Sequence, residues 1–205
     1  MEFLDVIRKR RMVRHFTSEP VDPQVIHRIL QVALKAPSAG FTQGQSFVVV
    51  SRADLRKRLG QLLGEEDEEY PEGEYPWVSE APVLVVPCIS EAAYHRRYQE
   101  ADKLREDGSE MDWPYPFWHM DMGCSVMLLL LAVVNEGLAA SFAGVFVKEM
   151  TTFRELLHLP EEVLPAGVIA IGHPGHYPPP TRLKSRRKPE NELIYYEQWG
   201  GDRLP

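Results

Sequence analysis

The sequence has few cysteines and no recognisable pattern of metal ligands. Only Cys88 and Cys124 are present, and both stand in apolar surroundings. Such thiols are typical of free, buried cysteines in a reducing compartment, so we expect a cytoplasmic protein. No Cys-x-x-Cys pair or Cys/His cluster has the spacing of a zinc site, and we therefore expect no bound metal.

The chain also lacks an excess of positive charge and a targeting segment. Its net charge of −7 and its pI near 5.5 argue against nucleic acid as a partner. Residues 1–14 are charged and amphipathic throughout, which does not match a signal peptide. The 205 residues contain no internal repeat and suit a single domain over residues 1–205.

One stretch is long and apolar enough to need a test for membrane insertion. Residues 126–134 carry no polar side chain, and Asp121 and Gly137 are suited to begin and end a helix around them. At ~1.5 Å per residue, a helix from Asp121 to Glu136 is about 24 Å long, short of a hydrocarbon core of about 30 Å. We therefore expect no membrane span. A helix that is apolar on every side favours burial against a partner subunit.

Shorter helices and strands are predicted on both sides of this segment. Asp22 followed by Pro23 marks a helix start, and Pro37 ends that helix because proline disfavours helical geometry in the residue before it. Further helices are predicted over residues 3–9, 53–63 and 91–101, and strands over residues 47–50, 83–86 and 167–172. This mixture indicates an α/β or α+β fold.

Three regions are predicted to be irregular or to lie outside the core. The polar residues 99–112 are either a mobile lid or a disordered insertion, and the prolines within 113–118 exclude a regular helix there. The aromatic side chains of that second region, Trp118 among them, either wall a ligand pocket or pack in the core. A C-terminal extension over about 178–205 carries a basic cluster and a strand-like segment at 193–196.

Three segments far apart in the sequence carry residues suited to bind a ligand. Arg10, Arg11 and Arg14 offer planar forks of donors that suit a phosphate dianion, although alone they are typical of a basic surface. Residues 36–40 (Ala-Pro-Ser-Ala-Gly) and 139–144 (Ala-Ala-Ser-Phe-Ala-Gly) have small side chains that let backbone amides approach a flat ligand. The alternatives for these two are an ordinary helix-to-strand connection and a tightly packed strand.

The order of these segments resembles that of the nitroreductase family of FMN-dependent oxidoreductases. The features that carry the resemblance are the run Arg10-Arg11-x-x-Arg14-x-Phe16, the segment Ala36-Pro37-Ser38-Ala39-Gly40-x-x-Gln43, Asp121 with the apolar helix after it, Glu136-Gly137-Leu138, and Gly144. No single motif is specific, but their order and spacing match over nearly the whole chain.

The resemblance implies positions for the cofactor. The segment that holds the FMN phosphate and pyrimidine edge is matched by Arg10, Arg11, Met12 and Arg14. The loop that reaches the flavin from the other subunit is matched by Pro37, Ser38 and Ala39, with Gln43 beside them. The loop that donates to flavin N5 is matched by Ser141, Phe142, Ala143 and Gly144. The tail cations near the phosphate are matched by Arg186, Arg187 and Lys184, with no pattern to choose among them.

The chain departs from the family pattern in two of these segments. Met12 stands where serine is usual, so only its backbone is available for that contact. Phe41 replaces a common asparagine, and Gly44-Gln45 replaces the usual Pro-Trp. These last changes fall on the substrate side, where Phe41 and Trp118 are the candidates for contacts with the acceptor.

The resemblance also implies a fold and an activity. The fold is α+β, with a central mixed or antiparallel sheet flanked by helices, in an intertwined homodimer whose long central helices are buried together. NAD(P)H would reduce FMN at N5, and a small electron-poor acceptor such as a nitroaromatic or a quinone would then take the electrons in a ping-pong cycle. No side-chain acid or base is implied.

Several alternatives to this activity stay open. They are other flavin chemistry on the same scaffold, such as dehalogenation or reduction of an enone or natural product, and a non-catalytic flavin-binding protein. Because the chain has no Gly-x-Gly-x-x-Gly segment, the sequence does not distinguish NADH from NADPH.

Overall fold

A computed structural model describes residues 1–66, 76–145, 150–176 and 186–201 of the chain. The helices are α1 (Phe3–Lys9), α2 (Pro23–Ala33), α3 (Ala53–Leu62), α4 (Trp77–Glu80), α5 (Glu91–Tyr98), α6 (Phe117–Asn135) and α7 (Met150–Leu156). The strands are β1 (Gln45–Val50), β2 (Val83–Ile89), β3 (Ala139–Ala143), β4 (Leu164–Pro165) and β5 (Val168–Gly172). The helix predicted over residues 3–9 is confirmed, and the two predicted over 53–63 and 91–101 end slightly early, at Leu62 and Tyr98.

Helix α2 begins where the sequence predicts. The Asp22 carboxylate accepts a hydrogen bond of 2.8 Å from the backbone N–H of Gln24, and Pro23 occupies the first turn. Both features satisfy or remove amide donors that have no partner inside the helix. The helix ends at Ala33, a few residues before Pro37.

The strands form one antiparallel sheet in the order β1-β2-β5-β3, and β4 pairs with the far end of β2. Every residue of β2 is buried. The predicted end of this strand before Pro87 is wrong, because β2 continues to Ile89. Pro87 lies between the residues that pair with β5 and those that pair with β4, where a missing N–H disturbs the ladder least. The helices and the antiparallel sheet confirm the predicted α+β class.

Helices cover both faces of the sheet. Alternate residues of β2 point to opposite faces, so this strand contributes to the core on each side. Val83, Val85 and Ile89 of β2 lie in a core cluster with residues of α2 and α6. Leu84, Val86 and Cys88 lie in a second cluster with residues of α3, α4 and α7. The core therefore has two halves, and α6 belongs to only one of them.

Helix α6 starts earlier than predicted and ends as predicted. It begins at Phe117, directly after Pro116, so Asp121 lies inside the helix and does not cap it. The prediction that no regular helix occurs within 113–118 is correct only up to this point, because proline is tolerated just before a first turn. Gly137 has a φ of +80° and follows the last turn, where glycine readily adopts left-handed geometry.

One side of α6 is not covered by the chain itself. Met120, Gly123, Cys124 and Met127 are exposed, and Met127 has 46 % of its surface accessible. Spacings of three and four residues place them on one stripe, which we call the α6 stripe. Cys124 belongs to it, so the prediction of two buried thiols is wrong for Cys124. Cys88 is buried, and burial raises the pKa of its thiol to about 11.

Within the described residues, α6 is also the one helix with the length and hydropathy of a membrane span. Its other side packs on the sheet in the larger core cluster. Core helices of globular proteins meet the same criteria of length and composition, and this packing agrees with the predicted role in a core or an interface.

An extended arm, residues 10–17, connects α1 to α2 and runs along the sheet. The N–H of Val13 donates to the carbonyl of Ala140 at 2.9 Å, and Met12 forms a parallel bridge with Ala140. Further along, the arm pairs antiparallel with Pro174, just after β5. The arm therefore extends the sheet beyond β3, which would otherwise be an edge strand.

The polar residues 99–112 lie against α5 and are held there by ion pairs. The Arg97 guanidinium donates to both carboxylate oxygens of Asp102 at 2.8 Å. This bond lowers the pKa of Asp102 to about 2. At the other end of the segment, the amide of Gln99 donates to Glu110 at 3.1 Å. In this structure the segment is folded back on its own helix.

The described part of the C-terminal extension is almost entirely exposed. It contains a single 3₁₀ turn at Glu190–Glu192 and no strand, so the prediction of a strand at 193–196 is wrong. A strand requires a partner with which to share its backbone hydrogen bonds, and no described segment pairs with these residues. Lys184 lies outside the described residues.

Candidate functional site

Three arginines of the arm have no counter-ion within the described part of the chain. Arg10, Arg11 and Arg14 form no ion pair there, although other arginines of the chain bind carboxylates. Guanidinium groups without a protein partner are suited to bind phosphate or another anion. The arm also brings these arginines beside β3, which the sequence alone could not show.

Arg14 and Arg11 lie in different surroundings. The guanidinium carbon of Arg14 lies 5.7 Å from the ring centroid of the buried Trp77, within the range of a cation–π interaction. Arg11 instead lines a groove of about 430 Å³ near the end of α6, together with Arg8 and Lys9. The arm therefore presents positive charge to more than one surface.

The small residues after α6 form a strand and not the predicted loop. Ser141 pairs with Ala170 of β5, and of the four residues matched to the N5 loop only Gly144 lies beyond the strand. The antiparallel ladder with β5 explains the difference, because it satisfies the backbone groups of this segment.

Ser141 is itself unusual within this strand. It is fully buried, and its Oγ has no hydrogen-bond partner among the described residues. A buried hydroxyl without a partner costs free energy, so Ser141 is a candidate for contact with a bound group.

The loop after α2 has a strained backbone. The φ angles are +61° at Gly40, +56° at Phe41 and +56° at Gln43. For a residue other than glycine, such a conformation costs on the order of 1–3 kcal/mol. Phe41 has 76 % of its surface exposed, so burial of its side chain does not offset that cost. Strain of this kind is typical of functional sites.

Side chains from inside and outside the loop fix this conformation. The Ser38 hydroxyl accepts a hydrogen bond of 2.9 Å from the N–H of Gln43 across the loop. The Nε of Arg97, on α5, donates to the carbonyl of Gly40 at 3.0 Å. The loop is therefore fixed against α5 as well as within itself.

Asp121 makes the connection between this loop and α6. Its Oδ2 accepts from the N–H of Ala39 at 2.8 Å and from the hydroxyl of Tyr94 at 2.7 Å. Burial and the bond to this carboxylate both raise the pKa of Tyr94. The sequence had suggested a helix cap for Asp121, but the structure assigns its carboxylate to the loop.

Trp118 lies in the core and not on a pocket wall. Only 8 % of its surface is exposed, and its ring lies 5.6 Å from that of Trp113 and 6.0 Å from that of Tyr94, centroid to centroid. This arrangement agrees with the packing alternative for the aromatic segment. Phe41 is the better placed of the two candidates for contact with an acceptor.

The structure brings together some of the predicted site residues and separates others. The arm lies beside β3, just beyond the C-terminal end of α6, whereas Ala39 bonds to Asp121 near the start of that helix. The sixteen residues from Asp121 to Gly137 correspond to about 24 Å along a helix. Within one chain, the arm and the loop therefore lie toward opposite ends of α6. Arg186 and Arg187 are exposed and form no ion pair with any described residue.

Sequence reasoning missed two participants. Trp77 sits beside Arg14 although sixty-three positions separate them, and no local pattern links the two. Tyr94 shares the Asp121 carboxylate with Ala39. Asp121 and the loop both belong to the motifs that carry the family resemblance, so a contact between them could have been inferred. Tyr94 lies in no such motif, and its contact with Asp121 could not.

Comparisons with known proteins agree on one family. The family model described as the nitroreductase family matches residues 7–173. A protein named putative NADH dehydrogenase/NAD(P)H nitroreductase, from Methanothermobacter thermautotrophicus, is 26 % identical over 201 residues, which cover 97 % of this chain and 88 % of that protein. The iodotyrosine deiodinase of Nematostella vectensis is 29 % identical over 201 residues, covering 94 % of this chain and 74 % of that protein.

Comparison with solved structures also finds members of this family. The crystal structure of a nitroreductase family protein from Streptococcus pneumoniae matches with a TM-score of 0.72 at 23 % identity. The match covers 94 % of this chain and 98 % of that one. At this level of identity the likeness shows that the fold is shared.

Proposed function

Because this chain belongs to the nitroreductase family, we propose that it is an FMN-dependent oxidoreductase that passes electrons from NAD(P)H to a small electron-poor acceptor, such as a nitroaromatic or a quinone. FMN as the cofactor and NAD(P)H as the reductant follow from membership of this family. The observation that carries the proposal is the arm, which brings alongside β3 three arginines that form no ion pair with the described residues. What we propose beyond this is the class of acceptor and a ping-pong cycle, in which the acceptor binds after the nicotinamide has left.

The residues present fit a phosphorylated ligand with a flat ring. Arg10 and Arg14 supply guanidinium groups that no described carboxylate neutralises. Ser141 supplies a buried hydroxyl without a hydrogen-bond partner among the described residues, and Gly144 lies just past the strand with no side chain to obstruct approach. The arm and β3, which pair with each other, thus offer charged donors and a polar contact.

When bound, FMN would supply the redox chemistry, taking up a hydride from NAD(P)H and passing two electrons to the acceptor. The protein supplies placement and charge. Arg14, whose guanidinium lies over the ring of Trp77, would bring a positive charge to the bound cofactor and stabilise negative charge in its reduced state. We propose no side-chain acid or base for this reaction.

We propose that the active form is a homodimer. The loop with Phe41 and the arm with Arg14 lie toward opposite ends of α6 in one chain, so one subunit alone does not assemble both halves of the site. Packing of two copies through the α6 stripe would allow the loop of one copy to complete the site of the other. An apolar groove of about 630 Å³ between α1, α2 and α6, lined by Phe3, Val32 and Leu131 among others, also supports burial against a second copy.

A second candidate is reductive dehalogenation on the same scaffold. The similarity to an iodotyrosine deiodinase over nearly the whole chain favours it. Phe41 suits either activity, since an exposed aromatic ring can pack on a nitroaromatic or on a halogenated phenol. Cytoplasmic location stays a prediction from the cysteine content.

The test begins with the absorbance spectrum of the purified protein. We expect a flavin spectrum that bleaches when NADH or NADPH is added without oxygen, and that returns when a nitroaromatic or a quinone follows. Return of the spectrum only with a halophenol, with release of halide, would favour dehalogenation. A yellow protein that neither nicotinamide reduces would contradict both activities and leave a flavin-binding protein.

A further inference from the structure

Asp121 stands in the second turn of a largely apolar helix, and its carboxylate faces two donors. The backbone N–H of Ala39 and the hydroxyl of Tyr94 both donate to Oδ2, at 2.8 and 2.7 Å. Asp121 forms no ion pair with any described residue. Such a charge-assisted bond is stronger than a bond between neutral groups. The carboxylate therefore acts on the loop and not on the helix that carries it.

Ala39 is the residue at which the unusual loop backbone begins. It is the first residue of the 3₁₀ turn Ala39–Phe41, in which Gly40 and Phe41 have positive φ. The ring of Tyr98 lies directly against Gly40, where an added Cβ would come within 2.7 Å of a ring carbon. A bond at Ala39 and a ring below Gly40 leave the turn little freedom to relax toward ordinary geometry.

The result of this arrangement is an outward-facing aromatic ring. Phe41 gains little burial from a strained backbone, so packing within the described chain does not explain the conformation. A phenyl face held in the open is suited to pack on a flat aromatic molecule. A small inorganic oxidant would gain nothing from such a face.

We infer that Asp121 is a positioning residue, whose carboxylate fixes the loop of residues 38–43 so that Phe41 presents its ring to a planar aromatic acceptor. This inference rests on the proposed oxidoreductase function and names the acceptor class as aromatic. Phe41 contacts the acceptor, and Asp121 acts through the loop. Tyr94 shares the carboxylate and helps to orient it.

The test compares Asp121→Ala and Asp121→Asn with Tyr94→Phe in the FMN-loaded protein. Tyr94→Phe is the matched control, because it removes one donor to the carboxylate and leaves the bond to Ala39 in place. The first readout is amide hydrogen exchange in the peptide covering residues 38–43. We expect exchange to become about tenfold faster in Asp121→Ala, less so in Asp121→Asn, and least in Tyr94→Phe.

The second readout is the KM for two acceptors, a planar nitroaromatic and ferricyanide. In Asp121→Ala we expect the KM for the nitroaromatic to rise at least about fivefold more than the KM for ferricyanide, since only the former uses the aromatic ring. Phe41→Ala should give the same selective rise while exchange in residues 38–43 stays at the wild-type rate. That combination of results distinguishes the contact made by the Phe41 ring from the positioning of the loop by the Asp121 carboxylate.

Unchanged exchange in both Asp121 variants would overturn the inference, as would an equal rise in KM for the two acceptors. If Asp121→Ala does not fold, Asp121→Asn carries the same two readouts. If the wild-type protein reduces no acceptor at all, the proposed function fails. The exchange measurement then still decides whether Asp121 fixes the loop.

Discussion

Arg14 illustrates how a single side chain gains a defined role from its neighbours. An arginine on an extended arm is ordinarily mobile, because its long side chain has many rotamers. Here the guanidinium packs on the face of Trp77, which is itself buried in the core half containing α3, α4 and α7. The positive charge is therefore held at one place, and no carboxylate of the described residues neutralises it.

We expect Arg14→Ala to weaken FMN binding by about ten- to a hundredfold, the effect of losing a hydrogen bond to a charged group. The dissociation constant can be measured by the quenching of FMN fluorescence on titration with apoprotein. Arg58→Ala is the matched control, because Arg58 is an exposed arginine on α3 and should leave the constant unchanged. Equal affinity in Arg14→Ala and wild type would remove Arg14 from the cofactor site.

Helix α6 shows which helix signals act locally and which do not. Its end follows from Gly137, because glycine alone tolerates a φ of +80° at no steric cost. Its start follows from the chain leaving a proline-rich segment at Pro116, and not from the nearest capping residue. An aspartate in the right place for a cap was used instead by a loop on another part of the chain.

Gly137→Ala should reduce the free energy of unfolding by about 1 kcal/mol, because alanine must adopt left-handed geometry. An added Cβ would meet no atom within 4 Å, so crowding does not contribute. Urea unfolding at a fixed protein concentration measures the change. Gly137→Asn is the control, and it should lose less, since asparagine visits this conformation more readily. An equal loss in both variants would show that the backbone angle is not the cause.

At the level of the assembled protein, the exposed surfaces of the protomer are as informative as its core. The residues of the α6 stripe, among them Met120, Gly123 and Met127, are apolar or small and lie toward the start of the longest described helix. Contiguous apolar surface of this kind marks an interaction site. Gly123 allows another helix to approach closely, because no described atom lies within 4 Å of the position that an added Cβ would take.

We expect Met127→Glu to convert the proposed dimer into a monomer, because the substitution places a carboxylate where two α6 helices would meet. Analytical ultracentrifugation at micromolar concentration measures the mass. Leu164→Glu is the control, since Leu164 is equally exposed, at 43 %, but lies on β4 away from the stripe. A wild-type monomer, or a Met127→Glu dimer, would contradict the proposed assembly.

The sequence by itself determined the features that depend on neighbouring residues. Asp22 with Pro23 marked the start of α2, and Gly137 marked the end of α6, because caps and left-handed turns act within one helical turn. The order of small motifs along the chain was also enough to identify the family, which the comparisons then showed.

Only the tertiary structure decided the contacts that cross the chain. Asp121 meets Ala39 across 82 positions and Tyr94 across 27, and the arm reaches Ala140 from residue 13. No periodicity or spacing encodes such pairs, since they follow from how the sheet and its helices pack together. The separation of the loop from the arm along α6 has the same origin, and it is the reason that we propose a site shared by two subunits.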